Sequence, residues 1–285
     1  MPRDRASGLQ PGEIETELGI PLPGAILPPD QWARTALKKL PPPGPLDWTN
    51  LFGRAAPLVL DLGCGNGRFV VADAVRRPAC NHLGLDILPL VIRYATRRAN
   101  QRGLHHVRFA VCGACEFLEQ YVAPASVAEI HLYHPQPYHD PQFAAKRLIT
   151  PEFLALAHRA LLPHGMLIVQ TDHPDYWRYI ASIAGHWFEW TEQSGPWPDD
   201  PAGRTRREIQ ARRQGLRIFR GQGRARTDVT DETSQRLLAE LPQPSFTADT
   251  ARGSGRPSGR RRGQRPRRPQ HRRRRGPRPD FPGPS

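Results

Sequence analysis

The stretch that most constrains this chain is residues 58–69, Leu-Val-Leu-Asp-Leu-Gly-Cys-Gly-Asn-Gly-Arg-Phe. Leu58, Val59, Leu60 and Leu62 form a short apolar run with the character of a parallel strand covered on both faces. Gly63, Gly65 and Gly67 follow at alternate positions, and an apolar-periodic stretch then begins at Phe69. The order is therefore strand, glycine turn, helix. Glycine lets the turn bend sharply and lets a ligand come close to the backbone. The helix that follows directs its unpaired N–H groups toward the same point. Asp61, at the strand end, brings a carboxylate to meet a polar or cationic group there.

A dinucleotide fingerprint has the spacing G-x-G-x-x-G. Here the third glycine comes one position early, giving D-x-G-x-G-x-G. This spacing disfavours a nicotinamide dehydrogenase and resembles motif I of class I S-adenosylmethionine-dependent methyltransferases. Asp86 supports that reading. It ends the next apolar stretch, His82-Leu83-Gly84-Leu85, 19 residues after Gly67. An acidic side chain there, at the tip of a second strand, suits a ribose diol. Asp86 is also placed to cap the helix that Leu88 and Pro89 open, and the two roles are compatible.

Charge is distributed unevenly. Residues 252–285 hold thirteen arginines and a single acid, Asp280, so they carry +12 of the chain's +14 and leave +2 for the rest. Few apolar residues punctuate this tail, and residues 222–285 as a whole are expected to be a disordered Arg/Pro/Gly-rich segment. Its arginines would attract phosphate with strong salt dependence. No run of eighteen apolar residues marks a membrane span. Met1-Pro2-Arg3-Asp4-Arg5 lacks the apolar core of a secretory signal. Four cysteines in 285 residues do not make a disulfide scaffold, so free thiols and a cytoplasmic location are expected.

Three regions are predicted: a Pro-rich arm over 1–55, a methyltransferase domain over 56–221 and the tail over 222–285. The arm is read as irregular, with a short helix near 31–39 and with Trp32, Trp48, Leu51 and Phe52 docked on the domain. Within 56–221, strands and helices alternate, which implies a doubly wound α/β sheet with helices on both faces. Strands are predicted at 57–62, to Asp86, at 107–111, 128–133, 166–171, 187–191 and 216–220. Helices are predicted after Gly67, from Pro89 to Gly103, from Pro151 to Leu161 and over 175–184. A transient helix is expected near 234–241. In such sheets ligands sit at the carboxyl ends of the strands, where 63–67, Asp86, 112–116, 133–138 and Thr171-Asp172 converge.

Across 56–221 the chain resembles the bacterial tRNA (guanine-N7)-methyltransferase family. The family's Phe-Pro-Asp-Pro-Trp segment and its basic run are matched by His134-Pro135-Gln136-Pro137-Tyr138 and by Lys146-Arg147-Leu148-Ile149-Thr150-Pro151-Glu152-Phe153. Its Thr-Asp after strand five matches Thr171-Asp172, and its Thr-x-x-Glu, glycine and last strand match Thr205-Arg206-Arg207-Glu208 and Gly215-Leu216-Arg217-Ile218. The resemblance implies a Rossmann-like sheet of about seven strands with the last one antiparallel. It implies methylation of guanine N7 at the variable-loop guanosine 46 of tRNA, with S-adenosyl-L-methionine as the cofactor. Carried over residue by residue, it places Asp61, Gly63, Gly65, Gly67, Asp86, Ala114 and Gln136 at the cofactor. It places Asp140, Lys146, Arg147, Asp172, Thr205, Arg206, Arg207 and Glu208 at the substrate, with Gln136 and Asp172 as the catalytic pair. Three positions depart from the family: Gln136 stands for an Asp, Ala114 for the Asp that faces adenine, and Asp140 for a Lys.

Guanine N7 has an in-plane lone pair and no proton, so its methylation needs positioning and desolvation, with no general base. A glutamine at 136 is compatible with that chemistry, since its amide still donates and accepts. It gives up charge stabilisation of the cationic methylated purine, while Asp172 and Glu208 remain as acceptors for the base. Ala114 weakens the adenine contact without changing the cofactor. Lys146, Arg147, Arg204, Arg206, Arg207, Arg212 and Arg213 are read as a basic face for RNA or, alternatively, as a solvated loop. Tyr133, Tyr138 and Trp197 are either base-stacking or buried aromatics. Cys112-x-x-Cys115, and His131, His134, His139 and His173, lack the paired spacing of a metal site, and none is assigned. Two other readings stay open: a same-fold methyltransferase acting on another RNA, a protein or a small molecule, and a non-catalytic RNA-binding protein. No obligate protein partner is evident.

Overall fold

Every residue of the strand Leu58–Leu62 is buried, as a central parallel strand requires. In the computed structural model, which describes residues 8–37 and 39–246, this strand lies in the middle of a seven-stranded sheet. In chain order the elements are β1 (Ile14–Glu17), β2 (Ile20–Ala25), α1 (Trp48–Phe52), β3 (Leu58–Leu62), α2 (Arg68–Arg76), β4 (Asn81–Asp86), α3 (Pro89–Gln101), β5 (Val107–Val111), α4 (Ala114–Gln120) and β6 (Val127–Tyr133). They continue with α5 (Pro151–Ala160), β7 (Leu161–Thr171), α6 (Pro174–Ala184), β8 (Phe188–Glu192), α7 (Arg206–Arg213), β9 (Phe219–Ala225) and α8 (Asp231–Glu240). The sheet order is β5-β4-β3-β6-β7-β9-β8. Strands β5 to β7 pair in parallel, and β9 runs antiparallel between β7 and β8. The expected doubly wound sheet of seven strands with its last strand reversed is thus present.

Alternation along the strands divides the core in two. Leu58, Leu60, Leu62, Ile130, Leu132, Leu167 and Val169 pack with Phe117, Phe153, Tyr176 and Ile180 of α4, α5 and α6 on one face. Val107, Phe109 and Ile168 pack with Phe69, Val70, Ile92 and Ala95 of α2 and α3 on the other. Register sets the site: Asp61 lies opposite Gly84 of β4 and His131 of β6, so all three parallel strands end on one edge. Among the described residues no helix is long and apolar enough to cross a membrane.

Several boundaries differ from the sequence expectation. The last strand runs over Phe219–Ala225 and not over 216–220. Its glycines conceal it: a Cβ at Gly221 would meet the rings of Trp190 at 2.5 Å and Trp177 at 2.8 Å, so neighbouring indoles fill the space that side chains usually take. The basic segment after Thr205 is a helix, α7, whose Ile209 and Ala211 are buried. Residues 222–246 are built into the domain, with Leu237 of α8 buried, so the predicted domain end at 221 falls inside β9. No helix forms near 31–39 among the described residues, where a single 3-10 turn occupies Pro29–Gln31. The N-terminal arm contains the β1–β2 hairpin, in which Glu15 and Glu17 of β1 and Leu22 of β2 are the buried positions. The arginine-rich tail expectation, over 247–285, lies outside the described residues.

Candidate cofactor and substrate site

The bend after β3 is tied to β4, because Gly63 N and Cys64 N both donate to Leu85 O, at 2.8 and 2.7 Å. Asp86 continues that tie: Gly65 N donates to its Oδ2 at 3.0 Å and Leu88 N to its Oδ1 at 2.9 Å. Each oxygen keeps a second lone pair for a ligand hydroxyl. Asp61 is only 2% exposed and its Oδ1 has no hydrogen-bond partner. Burial, reinforced by the charges of Asp86 and Asp73, pushes its pKa well above the carboxylate range. A Cβ placed on Gly63 or Gly65 would meet nothing within 4 Å, whereas one on Gly67 would strike Ala95 and Phe109. The bend is open on one side and closed against the protein on the other. Ile87, Leu88, Leu90 and Val111 are exposed apolar side chains beside Asp86 and at the end of β5. Ala114 opens α4 close by. An open cradle, an unsatisfied buried carboxylate, a second carboxylate and an apolar wall fit a ligand with a cationic end, a diol and an aromatic base. S-adenosylmethionine has all three.

The opposite rim follows β6. His134 and Tyr138 adopt positive φ, +52° and +45°, on either side of Pro135-Gln136-Pro137. Left-handed backbone at side-chain-bearing residues costs about 1–2 kcal/mol each, so other contacts must hold the loop. His134 N donates to Gln170 O at 2.6 Å, and its ring bridges Asp172 Oδ1 at 2.8 Å and Gln170 Nε2 at 2.9 Å. Gln170 Oε1 accepts from Trp197 Nε1 at 2.7 Å and Arg220 Nε at 3.0 Å, which orients its amide nitrogen toward His134. The network therefore puts the His134 proton on Nδ1, facing Asp172. Arg207 also binds Asp172. Burial opposes ionisation of Asp172, but these two partners outweigh it and hold the pKa well below the usual range. Gln136 is exposed at the loop tip.

The site residues named from the sequence separate into two groups. Asp61, the three glycines, Asp86 and Ala114 surround the bend, while Gln136, Asp172 and Arg207 lie on the rim after β6 and β7. Arg147 is not on an open basic face. It is buried and donates to the carbonyls of Pro137, Tyr138, Pro244 and Phe246. Glu208, expected to face the base, is 0% exposed: its Oε1 accepts from Arg220 at 2.6 Å and its Oε2 from Arg204 N at 2.9 Å. Thr205 caps α7 by accepting from Glu208 N at 3.1 Å, and Asp140 caps the turn Pro141–Lys146 by accepting from Gln142 N. Arg206 pairs with Glu17 at 3.1 Å. Arg204 lies over the rings of Phe69, Tyr133 and Trp197, which makes Trp197 and Tyr133 structural aromatics. Arg212 and Arg213 bind the carbonyls of Pro201 and Leu18. Exposed Lys146, with its Nζ 4.8 Å from the Phe143 centroid, and half-exposed Arg207 are left at the rim.

Two features escaped the sequence. Glu17 of β1 accepts from Asn66 in the glycine bend and from Arg206 of α7, so the hairpin joins both halves of the site. Below the rim, Arg204 Nη1 donates to Tyr133 Oη at 2.6 Å, Tyr133 bonds His131 Nδ1 at 2.8 Å, and His131 Nε2 bonds Glu129 at 3.0 Å. Burial lowers the His131 pKa and keeps the ring neutral. Burial raises the Glu129 pKa, but His131 and Arg77 overcome that and hold it at about 2. Arg77, Glu129, His131 and Arg204 line a cavity of about 360 Å³ together with Asp73 and Arg76 of α2. Its charges are paired with one another, so it is a structural network and not the ligand cradle.

A sheet in this order with its last strand reversed, and a glycine bend flanked by two carboxylates at the strand ends, define a class I methyltransferase. Residues 55–221 match the family model described as "Putative methyltransferase". The tRNA (guanine-N(7)-)-methyltransferase of Rubrobacter xylanophilus is 30% identical over 173 residues, which cover 60% of this chain and 77% of the relative. That of Methylococcus capsulatus is 32% identical over 187 residues, covering 65% and 80%. Among solved structures, the 16S rRNA methyltransferase KamB aligns with a TM-score of 0.48 at 17% identity, over 66% of this chain and 96% of that one. The chain belongs to the tRNA (guanine-N7)-methyltransferase family.

Proposed function

We propose that this chain transfers a methyl group from S-adenosyl-L-methionine to guanine N7 in tRNA. The observation that carries the reading is the open glycine bend with the unsatisfied Asp61 Oδ1, in a chain whose curated relatives bear that activity in their names. When bound, the cofactor supplies an electrophilic methyl group on sulfur, to which the N7 lone pair is a sufficient nucleophile. Asp61 accepts a hydrogen bond from a cationic group and Asp86 accepts from a diol. Ile87, Leu88 and Val111 exclude water from the adenine. Asp172, kept ionised by His134 and Arg207, provides negative potential at the rim as the purine becomes cationic. Gln136 contributes an uncharged amide to the base edge. Glu208 acts indirectly, by holding Arg220 and through it Gln170. Lys146 and Arg207 meet phosphate.

The test is incubation of the purified protein with unmodified tRNA and labelled S-adenosylmethionine, followed by nucleoside mass spectrometry. Label in N7-methylguanosine is the expected result, and its absence from every nucleoside would overturn the proposal. Gln136 and Asp140, where the family carries an Asp and a Lys, favour a second reading in which the same chemistry acts on a different RNA. Label appearing in ribosomal RNA and not in tRNA would select it.

A further inference from the structure

We infer that residues 242–246, which follow α8 and lie beyond the matched family span, brace the substrate loop through Arg147. Arg147 is 3% exposed, and no carboxylate pairs with it among the described residues. Four backbone carbonyls solvate its charge instead. Two belong to the loop, Pro137 O at 2.8 Å from Nε and Tyr138 O at 2.9 Å from Nη2. Two belong to the C-terminal segment, Pro244 O at 2.6 Å from Nη1 and Phe246 O at 2.7 Å from Nη2. The Phe246 ring covers the guanidinium face, with Arg147 Cζ 3.6 Å from its centroid. A buried cation is tolerated only when its donors are satisfied, so half of what keeps Arg147 in place comes from this segment.

The segment is itself anchored. Tyr179 Oη donates to Pro242 O at 2.9 Å, and Gln243 Nε2 donates to the Glu152 carboxylate at 2.8 and 3.0 Å. The Phe246 ring contacts His173 and Tyr176, with centroids 5.1 and 5.3 Å apart. His173 directly follows Asp172, and Tyr176 Oη accepts from Ile149 N at 2.7 Å. One phenyl ring therefore touches the residue after the rim carboxylate and the arginine that ties down the loop carrying Gln136. That loop includes two residues in left-handed backbone, His134 and Tyr138, and it needs an external hold. Phe246 and Arg147 are thus positioning residues, and their effect on the substrate is exerted through residues 134–147.

The test compares full-length Phe246→Ala and Phe246→Tyr with the parent protein, by amide hydrogen exchange, S-adenosylhomocysteine titration and steady-state methylation of tRNA. Phe246→Ala is expected to speed exchange over residues 137–147 about tenfold and to lower kcat/KM for tRNA about tenfold. Exchange at residues 63–67 and the affinity for S-adenosylhomocysteine should stay within about twofold of the parent, and Phe246→Tyr should restore the loop and the kinetics. Unchanged loop exchange in Phe246→Ala would overturn the inference. So would an equal loss at the glycine bend, which would indicate general destabilisation. The kinetic part rests on the tRNA reading: a parent protein inactive on tRNA defeats that reading, while the exchange experiment still decides the brace.

Discussion

Alanine at Gly65 and alanine at Gly67 should separate binding from folding, although the two glycines are only two residues apart. Both have left-handed backbone, φ +52° and +74°, so each substitution costs about 1–2 kcal/mol of conformational strain. At Gly65 nothing further is added to the folding cost, because no atom lies within 4 Å of the new Cβ. At Gly67 the Cβ would fall 2.7 Å from Ala95 Cβ and 3.0 Å from Phe109 Cζ. Overpacking of that kind adds about 1–3 kcal/mol, so Gly67→Ala should lose roughly 2–5 kcal/mol in all. Urea unfolding measures this directly, provided the m-value is unchanged. Calorimetric titration with S-adenosylhomocysteine should show the opposite ranking. The Gly65 methyl projects into the open cradle and should weaken binding at least tenfold, about 1.4 kcal/mol. Folded Gly67→Ala should bind within about threefold of the parent. If Gly65→Ala bound normally, the bend would not be the cradle, and the assignment of the cofactor site would fail.

Asp61, with its folded-state pKa raised by burial, keeps a proton that the unfolded chain releases near the ordinary aspartate value of about 3.9. Its contribution to stability is complete below that value and is lost as pH rises through the folded-state pKa, at about 1.4 kcal/mol per pH unit within the window. Asp61→Asn should flatten this part of the stability profile, and a slope equal to the parent's in pH-dependent urea melts would refute the assignment. For Asp86→Ala, removal of the hydrogen bonds to Gly65 N and Leu88 N together with the ribose contact should weaken cofactor binding by about 10- to 100-fold; retained affinity in the calorimeter would show that Asp86 does not serve the diol. Deletion of 252–285 removes thirteen arginines and should make the salt dependence of tRNA affinity shallower while saturated turnover persists. A large drop in turnover at saturating tRNA would place the tail in the site.

The local pattern of this chain determined its central architecture. Strand β3, the glycine bend, Asp86 and the pairing of helices with strands all follow from short-range periodicity and turn chemistry, because a parallel strand buried on both faces admits few alternatives. The candidate cofactor half of the site was legible for the same reason: the residues proposed for it sit at strand ends that the pattern locates. The substrate half was not. Arg147, Arg204 and Glu208 read as charged residues on a solvated or RNA-facing surface, yet Arg147 and Glu208 are buried and the Arg204 side chain is only 12% exposed, and what removes them from water lies elsewhere in the chain: Phe246 for Arg147, Phe69 and Trp197 for Arg204, and Arg220 for Glu208. Likewise, Ile-Glu-Thr-Glu falls in an arm that reads as irregular, yet it forms β1, and only the arrival of Arg98 and Arg102 from α3 makes Glu15 an inward residue. Hydrophobic period reports which face an apolar side chain buries. Whether a charge is buried depends on the partner that meets it, and that is decided by tertiary structure alone.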